Sequence, residues 1–328
     1  MDYLKNKPVF KCSNPNASAE CRKLMAFFES IYGKKIITCQ HTSINSTAEF
    51  ERIKEVTGKY PAMIGIELMY IGRGAKPFLN QEGEMKDNVG SADMGIEWAK
   101  KHGSLVTATW HWHSPSHYHR SHSFYNRFTD FDFTKAMEER GEDFQYLIED
   151  IDAVAEELKK FQRENIPVLW RPLHEGHGQH FWWGYAPKAY KELYSIMYDR
   201  LTNRHGLDNL IWVWECEETP YYPGYDRVDI SGIDTYIYTK NSGTMSEEYE
   251  HLFAVSDGQK PLAITESGTV PDIQKLSEEK VPWLWHMLWY RFVDNKDRND
   301  HETIKGFYNH PYVLTEDTFN EEYKKFTI

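Results

Sequence analysis

The chain is poor in cysteine: Cys12, Cys21, Cys39 and Cys216 are its only four among 328 residues. They are too few and too scattered for a disulfide framework or a zinc site, and the spacing leaves open whether Cys12 and Cys21 pair or stay free. Positive charge is short as well. The formal net charge is −12 and no basic run interrupts it, which argues against a nucleic-acid partner, because phosphate binding needs a Lys/Arg surplus on some surface. An acidic surface suits a neutral substrate better than an anionic one. No apolar stretch approaches the length of a membrane span, so no membrane partner is expected. The start Met1-Asp2-Tyr3-Leu4-Lys5 lacks a signal-peptide core, which fits either a cytoplasmic protein or one whose leader has been removed. Nucleotide-binding glycines are missing too. Ile36-Ile37 is followed by Thr38-Cys39-Gln40-His41 instead of G-x-G-x-x-G, and no Walker A pattern occurs. Ser267 sits in no G-x-S-x-G elbow, so it is no nucleophile.

What is abundant is aromatic: 11 Trp, 21 Tyr and 17 Phe, in a chain of ordinary hydrophobic (40%) and charged (27%) content that can bury a sizeable core. Tryptophan on a rim or in a cleft serves sugar stacking, whereas tryptophan in a core only packs; an even split between the two is expected. Apolar runs bounded by turn signals recur eight times, at 35–41, 61–70, 104–112, 167–175, 209–217, 229–236, 261–268 and 283–292. Their near-continuous hydrophobicity marks parallel strands buried on both faces. Helical patterns lie between many of them, at 19–32, at 91–102 before Gly103, at 142–164 with an apolar stripe, and at 186–204 behind Pro187. Eight alternating units predict an α/β fold, a closed (β/α)₈ TIM barrel, rather than an open doubly wound sheet. One catalytic domain is expected over residues 1–328, with residues 1–34 a strap and first helix packing on the barrel. Segments 72–88 and 114–133 follow strand ends and should wall a cleft at the catalytic rim.

Two glutamates stand out against this frame. Glu175 closes the fourth apolar run in Leu169-Trp170-Arg171-Pro172-Leu173-His174-Glu175, and Glu266 ends the seventh in Ile264-Thr265-Glu266-Ser267-Gly268. Three βα units separate them, so they face each other across the barrel mouth. Two carboxylates on one rim, among tryptophans, are the equipment for breaking a glycosidic bond, one as acid and one as nucleophile or base. Arg171, inside the rim on an apolar strand, would be a buried cation needing a carboxylate partner and would hold one glutamate ionised.

Trp170-Arg171-Pro172-Leu173-His174-Glu175, followed by Phe181-Trp182-Trp183-Gly184, resembles the acid/base signature of glycoside hydrolase family 26, the family of endo-β-1,4-mannanases. The resemblance continues through Gln40-His41, Thr57-Gly58-Lys59-Tyr60-Pro61-Ala62, Trp110-His111-Trp112 with Pro115, Gly232-Ile233-Asp234-Thr235-Tyr236 and the Glu266 segment. It implies a retaining clan A (β/α)₈ hydrolase of β-mannan that needs no cofactor and no metal, with Glu175 as general acid/base and Glu266 as nucleophile. It also implies that Tyr236 donates a hydrogen bond to the nucleophile, that His174 and His111 bind the sugar, and that Trp289 is the stacking floor. Trp182, Trp183 and Arg171 join the substrate-binding set on the same grounds. The sequence departs from the pattern at His180, where a Trp is usual, at Gly176-His177-Gly178 and at Ser114. These positions line the side of the cleft that receives the leaving sugar, and family members acting on mixed-linkage glucan or xylan exist, so those substrates, and exo action as a mannobiohydrolase, stay as alternatives. A monomer acting on a polymer outside the cell is the expected setting.

A rival reading comes from His111, His113, His117, His119 and His122, crowded at the end of the third run. His-x-His resembles a metallohydrolase strand end, but later strands lack the further His ligands such a site needs. Trp212 and Trp214 alternate onto one face, with packing the expected role, and of Trp283, Trp285 and Trp289 only the last reaches the rim.

Overall fold

The computed structural model describes residues 5, 7–81, 83–236 and 243–328. The opening Met1-Asp2-Tyr3-Leu4 and one residue of the 72–88 segment, Glu82, lie outside the described residues. All eight expected strands form, each somewhat shorter than its apolar run: β1 Ile36–His41, β2 Met63–Glu67, β3 Leu105–Thr109, β4 Val168–Arg171, β5 Leu210–Glu215, β6 Ile230–Thr235, β7 Leu262–Ser267 and β8 Trp285–Leu288. Each pairs in parallel with the next, and β1 pairs with both β2 and β8, so the sheet closes into a barrel. The fold is the (β/α)₈ barrel.

One short strand was not foreseen. β1 begins below its pairing with β2, which starts at Cys39, and Ile36 and Ile37 pair instead with β9, Val313–Leu314. Ile36 N–H donates to the Tyr312 carbonyl at 2.9 Å and Thr38 Oγ1 to that of Leu314 at 2.8 Å. β9 thus satisfies backbone groups that a buried edge could not leave open.

The N-terminal mouth is plugged from outside. Helix Ala19–Ile31 starts at Ser18, whose hydroxyl accepts from Cys21 N–H at 3.1 Å, and buries Cys21, Leu24, Met25, Phe27, Phe28 and Ile31 along one stripe. These side chains share a core with Ile37, Met63, Leu105, Leu169, Ile211, Ile230, Ala263 and Leu284 of the strand beginnings. Phe27 lies edge-on to Phe319, Tyr323 and Phe326 of the C-terminal segment, at 5.1–5.6 Å between centroids. All four cysteines are free and buried, which settles the question at Cys12 and Cys21. Burial pushes the Cys12 thiol up to about 12.

Two registers slip where the chemistry sits. Ile233 pairs with Ile264 but Asp234 pairs with Glu266, so β7 carries one extra residue, Thr265, and the β7–β8 pairing shifts across the same stretch. A bulge of this kind re-aims the next side chain. Gly232 makes it possible: a Cβ there would lie 2.4 Å from Thr265 Cγ2. Thr265 Oγ1 then reaches the Ile233 carbonyl at 2.9 Å and Asp234 Oδ1 at 2.7 Å.

Ten of the eleven tryptophans are buried and only Trp289 is partly open, so the even split is corrected towards packing. Trp212 and Trp214 are both fully buried. Phe27→Ala should lower the free energy of unfolding by roughly 3–5 kcal/mol, read as a lower urea midpoint, because it empties a pocket shared by both chain ends.

Candidate active site

The cleft opens at the C-terminal ends of the strands, with a volume of about 390 Å³. Its lining includes His41, Glu67, His111, His174, Glu175, His180, Phe181, Tyr236, Glu266 and Trp289. Segment 114–133 contributes His122, Phe124 and Tyr125. No described residue of segment 72–88 reaches the cleft, contrary to expectation. That segment is tied back by Asp150, which accepts from Arg73 N–H at 2.6 Å and from Trp112 Nε1 at 2.9 Å. Burial pushes the Asp150 carboxyl up to about 6.

Glu266 stands on the β7 bulge and is almost fully buried. Its Oε1 accepts from Arg171 Nη2, and its Oε2 accepts from the Tyr236 hydroxyl at 2.6 Å. Tyr236, pushed far above its usual range by burial and then by Glu266, stays protonated and can only donate here. Burial raises the Glu266 carboxyl, and the nearby Glu175 adds to this against Arg171 and Tyr236.

Glu175 is not on a strand. Pro172, which has no N–H to offer, ends β4 after Arg171, and the next residues make a turn with Leu173 at φ 52 and Glu175 at φ 50. Left-handed backbone is costly for side-chain-bearing residues and persists only when its surroundings hold it. Here Tyr190 OH donates to the Leu173 carbonyl and Trp183 Nε1 to that of His174, both at 2.9 Å, while Glu175 N–H donates to Glu215 Oε2. Gly176 lets the turn press against Tyr190, since a Cβ would come 2.7 Å from its ring. The turn lifts Glu175 to the cleft. One carboxylate oxygen from each of Glu175, Asp234 and Glu266 falls within 4.8 Å of the others.

Arg171 anchors the group from below, fully buried. It donates to Asp234 Oδ2 at 2.6 Å, to Thr109 Oγ1 at 2.9 Å and to Glu266. One guanidinium faces Glu175, Glu215, Asp234 and Glu266, and burial pushes Glu215 and Asp234 well above the usual carboxylate range. The cluster therefore retains protons that exposed carboxylates would lose. For Glu175, burial raises the carboxyl, but the His180 imidazole in contact with Oε2 brings it below its ordinary value.

The histidines divide the remaining work. His111 donates through its backbone N–H to Glu67 Oε1 at 2.8 Å, and its Nδ1 meets Glu67 Oε2 at 2.6 Å. Burial opposes the imidazolium, but Glu67 outweighs it and raises His111. Burial and then His111 lower His174, whose Nε2 sits 3.2 Å from His111 Nε2. The two Nε2 atoms thus share one hydrogen bond, with Glu67 fixing the His111 ring from its other side. Trp289 closes the floor, its ring 4.2 Å from that of His41, and burial brings the His41 imidazole down to about 3.

The sequence-predicted residues Glu175, Glu266, His111, His174, Tyr236 and Trp289 are brought together in this cleft. Three others are not. Trp182 and Trp183 are buried behind Phe181, with their indole N–H groups spent on the carbonyls of Trp112 and His174, so Phe181 presents the face they were expected to supply. Arg171 lies beneath the carboxylates and does not line the cleft. His111 and His113 do not converge: His113 is buried against Ser123 at 3.2 Å. The sequence reading gave no role to Glu67, Glu215 or Asp234, although each carboxylate also ends or nearly ends an apolar strand.

Arg171→Met would leave Asp234 and Glu266 buried without their cation. It should cost about 3–5 kcal/mol of unfolding free energy, measured by urea denaturation at neutral pH, with the loss shrinking as acid protonates the two groups.

The sequence profile described as glycosyl hydrolase family 26 matches residues 13–318. A mannan endo-1,4-β-mannosidase of Thermothelomyces thermophilus is 37% identical over 314 residues, covering 93% of this chain and 62% of that protein. This chain therefore spans less than two-thirds of that relative's length. The crystal structure of a Podospora anserina β-(1,4)-mannanase superposes with a TM-score of 0.88 at 35% identity, covering 97% of this chain and 70% of that one. A β-mannanase from a symbiotic protist of the termite Reticulitermes speratus, solved with a gluco-manno-oligosaccharide, superposes with 0.82 at 27% identity over 95% and 98% of the two chains. On the extent of the profile match, this chain belongs to glycosyl hydrolase family 26.

Proposed function

We propose that this chain is an endo-β-1,4-mannanase that works by double displacement with retention of configuration. The observation that carries the mechanism is the convergence of Glu175 and Glu266, with oxygens within 4.8 Å. A retaining pair wants its carboxyls about 5–5.5 Å apart, whereas an inverting pair leaves a wider gap for water. Glu266 attacks the anomeric carbon while Glu175 gives a proton to the departing glycosidic oxygen. Water then attacks the glycosyl ester, Glu175 takes its proton, and Glu266 is released as carboxylate.

The supporting residues fit these roles. Arg171 and Tyr236 stabilise charge on Glu266 when it leaves the sugar. The His111–Glu67 pair and neutral His174 supply hydrogen bonds at the wall, and Trp289 offers an apolar face for a pyranose ring. Mannan is the preferred substrate because the relatives named above carry mannanase in their descriptions. Among the described residues no helix is long and apolar enough to cross a membrane. A polymeric substrate favours action outside the cell.

Reducing-sugar release should be greatest on mannan or galactomannan when these are compared with lichenan and xylan. Higher turnover on lichenan or xylan would move the substrate assignment and leave the chemistry. Glu175→Gln should cut the rate about 10²–10⁴-fold on an unactivated substrate, and Glu266→Gln on the order of 10⁴-fold or more. Both variants should keep the wild-type circular dichroism. Proton NMR of the first product should show the β-anomer; an initial α-anomer would overturn retention.

A further inference from the structure

The cleft wall carries an imidazole that the two-glutamate scheme does not use. His180 Nε2 contacts Glu175 Oε2, and His180 Nδ1 lies 3.0 Å from the Gly178 carbonyl. A carbonyl only accepts, so Nδ1 must carry a hydrogen. Two arrangements then remain at the other nitrogen. Either a bare Nε2 accepts from a protonated Glu175, or a protonated Nε2 donates to the Glu175 carboxylate. Each keeps one proton between the two groups; with none, two acceptors would face each other.

The ring is built into this position. It packs on Phe181 at 4.3 Å between centroids, and the His180 carbonyl accepts from Asn126 N–H at 2.9 Å. Gly178 provides the space, since a Cβ there would lie 2.5 Å from the imidazole Cε1 and 2.8 Å from Nδ1.

We propose that His180 is a positioning residue that holds one proton on its pair with Glu175, so that the acid stays loaded at pH values where a lone carboxylate would be empty. This rests on the reading of Glu175 as acid/base. In the first half-reaction Glu175 passes a proton to the glycosidic oxygen as the C1–O bond breaks. It is the pair's single proton, drawn from Nε2 where it rests there, and its departure leaves a neutral imidazole and an ionised carboxylate. In the second half Glu175 takes a proton from the attacking water and Nε2 recovers it. No proton is gained or lost over the cycle.

The surrounding charges pull both ways. Arg171 and His111 favour the Glu175 carboxylate, whereas Glu215, Asp234 and Glu266 interact with it as like charges, as does the more distant Glu217. His180 faces His111, with the imidazoles of His174 and His177, both lowered by burial, as further neighbours. Its hydrogen bond to Glu175 prevails over burial and holds the imidazole above its ordinary value. That same imidazole is the main cause that holds Glu175 below its ordinary value, so within the pair the proton rests on the His180 side.

The test is the pH profile of kcat/KM for wild type, His180→Gln and Gly178→Ala on two aryl β-mannobiosides. The phenyl glycoside needs a proton for departure and the dinitrophenyl glycoside does not. With the phenyl glycoside, the basic limb of His180→Gln should move to lower pH by roughly one unit, about tenfold in rate on the alkaline side. Gly178→Ala, which displaces the ring without removing it, should move the limb the same way. The dinitrophenyl profile should hold still. An unshifted basic limb in His180→Gln, or an equal loss at every pH, would overturn the proposal. Glu175→Ala separates the two readings. If it keeps the dinitrophenyl activity and loses the phenyl activity, Glu175 is the acid and His180 is judged by its own profiles. Wild-type turnover of the phenyl glycoside by Glu175→Ala would overturn both.

Discussion

A single buried guanidinium governs this site. Arg171 places its charge under the barrel mouth, where it binds Asp234 and Glu266 directly and attracts Glu175 and Glu215 from a greater distance. Without a cation there, burying such carboxylates together would cost several kcal/mol per ion. With it, they can stand within reach of one sugar ring. One cation cannot balance four carboxylates, and burial, with repulsion between them second, holds Glu215 and Asp234 well above the usual carboxylate range.

Geometry is delivered by two local irregularities rather than by the regular barrel. The extra residue in β7 turns Glu266 towards Arg171, and it needs Gly232 on the neighbouring strand to make room for Thr265. The left-handed turn after β4 carries Glu175 beyond the strand end, held by Tyr190, Trp183 and Glu215. Both devices involve residues far apart in sequence. Glu215 links them: it ends β5, yet its carboxylate grips the backbone of Glu175 itself. A strand that contributes nothing to the visible cleft lining still fixes where the acid points.

Much of the architecture was legible because strands buried on both faces write themselves as unbroken apolar runs. All eight barrel strands were recovered in that way, as was the amphipathic helix over 142–164, which forms as Glu142–Arg163. Helices Ala48–Thr57, Ser246–Val255 and His301–Asn309 are absent from the sequence reading, since in nine or ten residues an apolar stripe repeats too few times to stand out. The helix read over 186–204 forms only to Asp199; a wider π turn, Arg200–Arg204, completes it, with Arg200 bonded to Asp152. Tryptophan burial was not legible, because identity alone does not say which face of a strand or loop looks inward. Trp182 and Trp183 follow a residue that does face the cleft, and only the fold shows that the side changes at Phe181. Glu67 and Glu215 each close a strand, much as Glu266 stands near the end of β7, but their apolar runs continue past them and hide where the strands stop.

The distribution of indoles has a practical consequence. With ten of them sealed in the interior and Trp289 alone partly open on the cleft floor, a water-soluble collisional quencher such as iodide meets essentially one emitter. The quenchable fraction of the intrinsic fluorescence is therefore an optical window onto the subsite floor, and an oligosaccharide lying over it would close that window without any label on either molecule.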